Sequence, residues 1–156
     1  MDDRVRCVIY DIAMREGVPP TSQRVGGILG IGSNDVLESF RRLADAHMIV
    51  LRDDGEILMA GPFSAVATPF RVSAGPSPGA SRHPLPEGEG LSCYGNCIWD
   101  ALGIPAMLHA DAIIDTTCAQ SSTPAQLSVM DGQLTGDGLM HVVVPARLWW
   151  LHIVYT

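Results

Sequence analysis

Between residues 73 and 92 the chain reads Ser-Ala-Gly-Pro-Ser-Pro-Gly-Ala-Ser-Arg-His-Pro-Leu-Pro-Glu-Gly-Glu-Gly-Leu-Ser. Each proline removes a backbone donor and fixes its own φ, so no helix or interior strand is expected to run through this segment. It also lacks apolar anchors and reads as a loop or tether. Because it ends where a cysteine-rich stretch begins, it has a second reading, as a lid. The expected organisation has a winged helix-turn-helix-like domain over 1–60, a junction and Gly/Pro-rich loop over 61–92, and a catalytic or metal-binding domain over 93–156. A chain of 156 residues suffices for one ordinary domain or two small ones.

The first part carries helical spacing. Val5, Val8, Ile9, Ile12 and Ala13 mark a helix over 4–16 with Gly17 as its stop. After Pro19-Pro20, Thr21 or Ser22 is placed to cap a short second helix ending at Gly30. Ser33-Asn34-Asp35 is expected to cap a third, over 34–47, with Val36, Leu37, Phe40, Leu43 and Ala44 as its stripe. Residues 48–52 and 56–59, either side of Asp53-Asp54-Gly55, read as a β-hairpin. Three helices and a hairpin resemble a winged helix-turn-helix, which would set helix 34–47 in a DNA groove with Arg41-Arg42 near phosphate. The net charge of −7 weighs against that reading. A scaffold packed against a partner domain is the alternative.

The second part holds the stretch that asks for chemistry. Cys97 stands three residues ahead of Asp100, close to one helical turn, so a helix over 95–103 would carry both on one face. Ile98, Trp99, Ala101, Leu102 and Ile104 are apolar, so this helix is expected to be buried. A carboxylate there is costly unless paired or protonated, and a thiol beside it suits a soft metal. The inert alternative is a cysteine packed as a small hydrophobe beside an aspartate at a helix start. Pro105 suits the first turn of a second short helix through His109. Strands are expected over 65–72, which Pro69 limits to an edge or a broken strand, and over 112–118, 125–130 and 139–145, with a turn at Asp131-Gly132. The apolar run 149–155 follows. His109, His141 and His152 are expected to be core histidines, with metal ligation as the alternative; the three tryptophans are expected to be core or interface aromatics, and Cys7 a packing residue.

No apolar run reaches the roughly 18 residues of a membrane span, and the acidic start is no secretory signal. The expectation is a cytoplasmic protein whose four cysteines, Cys7, Cys93, Cys97 and Cys118, are reduced.

Tyr94-Gly95-Asn96-Cys97-Ile98-Trp99-Asp100-Ala101-Leu102-Gly103-Ile104-Pro105-Ala106 resembles the active-site helix of the organomercurial (alkylmercury) lyase family. Thr116-Thr117-Cys118 with 124–129, then 141–145, Trp149-Trp150 and 153–156, are similar to later pieces of that family in order. Residues 61–63 and 69–72, with the helical first part, fit its winged-helix half and junction. The resemblance implies an α+β fold: the winged-helix-like segment, then a small mixed domain with an antiparallel sheet and a buried active-site helix. It implies protonolysis of a carbon–mercury bond, with Cys97 capturing mercury and Asp100 carrying the proton, and with Asp100 beside Cys97 among the candidate metal ligands. No cofactor is implied. Hg(II) is the bound product, free thiols are its acceptors, and the partners are a small organomercurial, low-molecular-weight thiols or a mercuric reductase. DNA is not the favoured partner, and no membrane partner is expected. The family's second catalytic cysteine would follow the Trp-Trp turn, about where this chain stops. Cys93, four residues before Cys97 on the same face of an extended helix, is one substitute ligand; Cys118 matches a family cysteine read as structural, with a substitute ligand as its alternative. The runner-up function is a non-catalytic soft-metal-binding or metal-sensing winged-helix protein. An inert remnant is the third reading.

Overall fold

The computed structural model describes residues 1–75, 90–142, 144–151 and 153. The fold is mixed α+β with antiparallel sheets. Helices α1 (Asp2–Glu16), α2 (Ser22–Leu29) and α3 (Ser33–Asp45) come first. A three-stranded sheet follows, in the order β1 (Val50–Leu51), β2 (Ile57–Ala60), β3 (Phe63–Ser64). Then comes a five-stranded sheet made from β4 (Arg71–Gly75), β5 (Leu91–Tyr94), β6 (Asp111–Thr117), β7 (Pro124–Met130) and β8 (Gln133–Thr135). Its strand order is β5-β4-β6-β7-β8, and every neighbouring pair is antiparallel. Helix α4 (Ile98–Leu108) lies between β5 and β6 in the chain, and a 3₁₀ helix covers Ala146–Leu151.

Local chemistry sets most of these boundaries. Gly17 closes α1 at φ +75°, a conformation that costs glycine little. The Thr21 hydroxyl accepts from the Arg24 N–H at the start of α2. The expected cap of α3 differs: Gly32 occupies that position with no side-chain cap, and Ser33, Asn34 and Asp35 already lie in the first turn. Gly55 turns the β1–β2 connection at φ +83°. Asp131 and Gly132, both at positive φ, make the two-residue turn between β7 and β8.

Burial forms two apolar clusters. The first gathers Val5, Ile9, Val25, Val36, Phe40, Leu43, Ile49, Ile57 and Ala60 from the three helices and the small sheet. The second sets Ala101, Ile104 and Leu108 of α4 against Val72, Ala74, Ala112 and Ile114 of the large sheet, with Phe63 and Ala13. Helix α1 therefore feeds both clusters, through Val5 and Ile9 near its start and Ala13 near its end. The end of α1 also meets β5, where a Cβ on Gly17 would fall 2.7 Å from Cys93 Cβ. Phe63 bridges to Gly95, joining the small sheet to the segment that leads into α4.

Several expectations are corrected. Of the edge or broken strand expected over 65–72, the edge reading fails and the broken one fits: β4 starts at Arg71 beyond Pro69 and sits inside the sheet between β5 and β6. Proline is kept out of the ladder, so an interior position opens to the residues after it. Residues 73–75 and 91–92 belong to β4 and β5, so the expected loop is shorter. Its lid and tether readings fall on residues 76–89, outside the described residues. Pro105 lies within a single helix rather than starting a second one. Its ring is fully buried, and packing there offsets a lost backbone bond. Residues 139–142 form no strand, and Leu139 is fully exposed. Strand propensity there meets no core to pack against. His109 and His141 are exposed rather than packed, and Cys7 is exposed on α1. His152 lies outside the described residues.

Candidate active site

Cys97 occupies the position just before α4, with extended backbone, and Asp100 lies in the first turn. The helix thus begins three residues later than the expected 95, yet the pair still converges. The Cys97 thiol points its donor at Asp100 Oδ2, 3.7 Å away. The segment before it is held from several sides. Gly95 N–H donates to Phe70 O at 3.0 Å, and Thr68 Oγ1 donates to Gly95 O at 2.6 Å. Asn96 Nδ2 donates to Pro62 O at 3.2 Å. Only glycine fits at 95, because a Cβ would fall 2.6 Å from the Ala101 backbone nitrogen. Sequence reasoning passed over Gly95, Asn96 and Thr68. Gly95 had a visible signal, a lone glycine immediately before an apolar helical run.

Cys97, Asp100 and Asn96 line a cleft of about 580 Å³. The rest of its wall comes from distant elements: Arg6 and Tyr10 of α1, residues 47–50 entering β1, and Trp99, Trp149 and Trp150. The wall is mostly apolar, as small-molecule sites usually are, and the volume lies mid-range for such sites. Trp99 is 63% exposed, so it stands at the rim instead of in the core. Trp150 stacks on His47 with ring centroids 4.3 Å apart, and Trp149 Nε1 donates to Val144 O at 2.7 Å.

Burial dominates the electrostatics of the pair. It pushes the Cys97 thiol above its usual range, and it outweighs the first-turn amides of Asp100 and Trp99, which favour the thiolate without reaching capping geometry. The Asp100 charge pushes the thiol the same way. Burial also raises the Asp100 carboxyl, against smaller opposing pulls from the Asn96 amide and the Cys97 thiol. Each group therefore holds a proton more tightly than it would in water, and the hydrogen bond from thiol to carboxylate gives one proton a path between them.

The other two candidate cysteines lie elsewhere. Residues 91–94 are strand, so the shared helical face expected for Cys93 does not exist. Cys93 is buried in the second cluster, and desolvation pushes its thiol up to about 12. Cys118 is exposed after β6, where Ser121 and neighbouring amides lower its pKa. Among the described residues no group of three or more His, Cys, Asp or Glu side chains gathers as a metal site. A two-coordinate soft ion held by sulfur does not require one.

Known proteins resemble the chain in part of its sequence and in its fold. The MerB family model, alkylmercury lyase, matches residues 80–155, which include Cys93, Cys97, Asp100 and Cys118. A solved structure described as the mercury-bound form of MerB2 aligns with a TM-score of 0.58 at 23% identity, over 84% of this chain. The chain spans 58% of that protein's length. At that identity the likeness is one of fold. No curated protein matches the chain. Its second half, residues 80–155, carries the sequence pattern of the alkylmercury lyase family.

Proposed function

We propose that this chain cleaves carbon–mercury bonds by protonolysis, with Cys97 as the mercury-capturing sulfur and Asp100 as the proton carrier. The observation that carries the reading is the 3.7 Å approach of Cys97 Sγ to Asp100 Oδ2 on the wall of a cleft. A protonated thiol hydrogen-bonded to a carboxylate is ready to exchange its proton for a soft metal.

The balance is as follows. An organomercurial arrives as its complex with a small thiolate. Cys97 sulfur bonds mercury, its proton moves to Asp100, and the small thiolate leaves. The carbon–mercury bond then breaks, its electron pair stays on carbon, and Asp100 returns the proton to that carbon. The small thiolate rejoins Hg(II), which remains bound to Cys97 until a second thiol removes it. Electron donation from sulfur makes the carbon easier to protonate, and burial of Asp100 favours the acid form that donates. No cofactor enters this balance. In this reading the small thiol supplies the second sulfur. Cys93 is too buried for that role and Cys118 lies outside the cleft wall. We place the chain in the cytoplasm, where such thiols are abundant; no helix among the described residues is long and apolar enough to cross a membrane.

The first three helices and small sheet follow the order of a winged helix, and we read them as a scaffold that completes the cleft. Arg42, one of the two arginines expected near DNA phosphate, is forked onto Asp2 at 2.8 and 2.9 Å. The test is release of benzene from a phenylmercury salt under excess thiol, followed by headspace gas chromatography. Wild-type protein is expected to release it catalytically, while Cys97→Ser and Asp100→Asn lose the activity. Stoichiometric mercury binding with no hydrocarbon would instead identify a non-catalytic soft-metal binder.

A further inference from the structure

The cleft is larger than the reaction needs. A methyl group and one mercury atom occupy a small part of about 580 Å³. Its remaining wall combines aromatic surface with one permanent cation. Arg6 and Tyr10 stand one turn apart on α1, so both present to the same side of the helix. The Tyr10 hydroxyl is committed to Met48 O at 3.2 Å. The Arg6 guanidinium rests near Met48 Sδ at 4.0 Å, and its ion pair with Asp3 is loose at 3.4 Å, with the Asp3 side chain 93% exposed. Such a water-screened pair holds the guanidinium weakly. The Arg6 side chain is itself 42% exposed, so a neutral hydrocarbon in the cleft would leave its charge to water and gain nothing from it. A carboxylate would meet its planar fork with two hydrogen bonds.

We propose that the organic group taken by this cleft is an arene bearing a carboxylate, with Arg6 as the residue that selects it while Cys97 holds the mercury. This rests on the reading of Cys97 and Asp100 above and names the substrate class of that site. The aromatic ring lies against the tryptophan-lined wall, and the charged substituent reaches the α1 side.

The test compares 4-(hydroxymercuri)benzoate with phenylmercury, in wild-type protein, Arg6→Gln and Arg6→Lys. The readout is the ratio of kcat/KM for the two substrates. The ratio is expected to favour the carboxylated substrate in the wild type and to fall about tenfold in Arg6→Gln, the size of one charge-assisted contact. Lysine is expected to restore part of it, because it keeps the charge without the fork. A general structural defect would slow both substrates and leave the ratio in place. An unchanged ratio, or one already near unity in the wild type, overturns the proposal while leaving the lyase reading intact. Absence of turnover on both substrates refutes the lyase reading, and the selectivity is then read from retention of each mercurial against competing glutathione. A preference of about tenfold for the carboxylated one, lost in Arg6→Gln, supports the role of Arg6, and equal retention overturns it.

Discussion

Replacing Gly95 by alanine inserts a methyl group where the Cys97 segment passes α4. The new Cβ would fall 2.6 Å from Ala101 N, 2.8 Å from its Cα and 3.0 Å from its Cβ. These are backbone and short side-chain atoms, so no flexible tip can move aside. Gly95 is itself fixed by Phe70 and Thr68, and Ala101 N–H donates to Cys97 O at 2.9 Å. The displacement therefore falls between Cys97 and Asp100. Overpacking of this kind costs about 1–3 kcal/mol, and the stiffer unfolded chain returns about 0.4–1 kcal/mol. The net expectation is a loss of about 1–2 kcal/mol, which lowers Tm by roughly 2–8 °C in a chain of this size. Urea unfolding followed by tryptophan fluorescence measures the loss. The iodoacetamide rate at Cys97, read by mass spectrometry, measures the local change. A variant with an unchanged midpoint and an unchanged Cys97 rate would refute the claim that this contact sets the site.

The remaining predictions concern the thiols and the frame around them. In a native thiol titration Cys7 and Cys118 react first, Cys97 follows slowly, and Cys93 reacts only after denaturation; early reaction of Cys93 would contradict its burial. The alkylation profile of Cys118 is expected to rise at lower pH than that of an ordinary thiol and that of Cys97 at higher pH, since thiolate appears only above the local pKa. Asp100→Asn removes a neighbouring negative charge and is expected to shift the Cys97 profile toward lower pH; a shift upward would show that the carboxylate does not face the sulfur. Thr68→Val removes the hydroxyl that bonds Gly95 O and accepts from the Phe70 N–H, and is expected to cost about 1–3 kcal/mol in denaturant unfolding.

The first three helices were legible because apolar spacing and glycine or threonine punctuation mark their ends. The hairpin turns at Gly55 and Asp131-Gly132 were legible for the same reason. The convergence of Cys97 and Asp100 followed from a spacing of three, and it survives the later helix start because the residue before a helix still overhangs its first turn. Cys93 was misread because a single residue type pattern does not show where strand gives way to helix. Gly95, the first residue after β5, leaves the decision to contacts with Phe63 and Phe70 that are distant in sequence. The cleft was not legible at all. Arg6, Tyr10, Met48 and the tryptophans come together only through packing of α1, the small sheet and the 3₁₀ helix. The expected strand over 139–145 failed because β propensity reports fit to a half-buried surface, and residues 139–142 have none.

Mercury itself offers the most direct measurement, since its anomalous scattering locates it without ambiguity. Crystals soaked with a phenylmercury salt and excess thiol should place mercury within bonding distance of Cys97 Sγ, facing the cleft with Asp100 beside it. Mercury on Cys118 or Cys7, with Cys97 Sγ bare, would contradict the account.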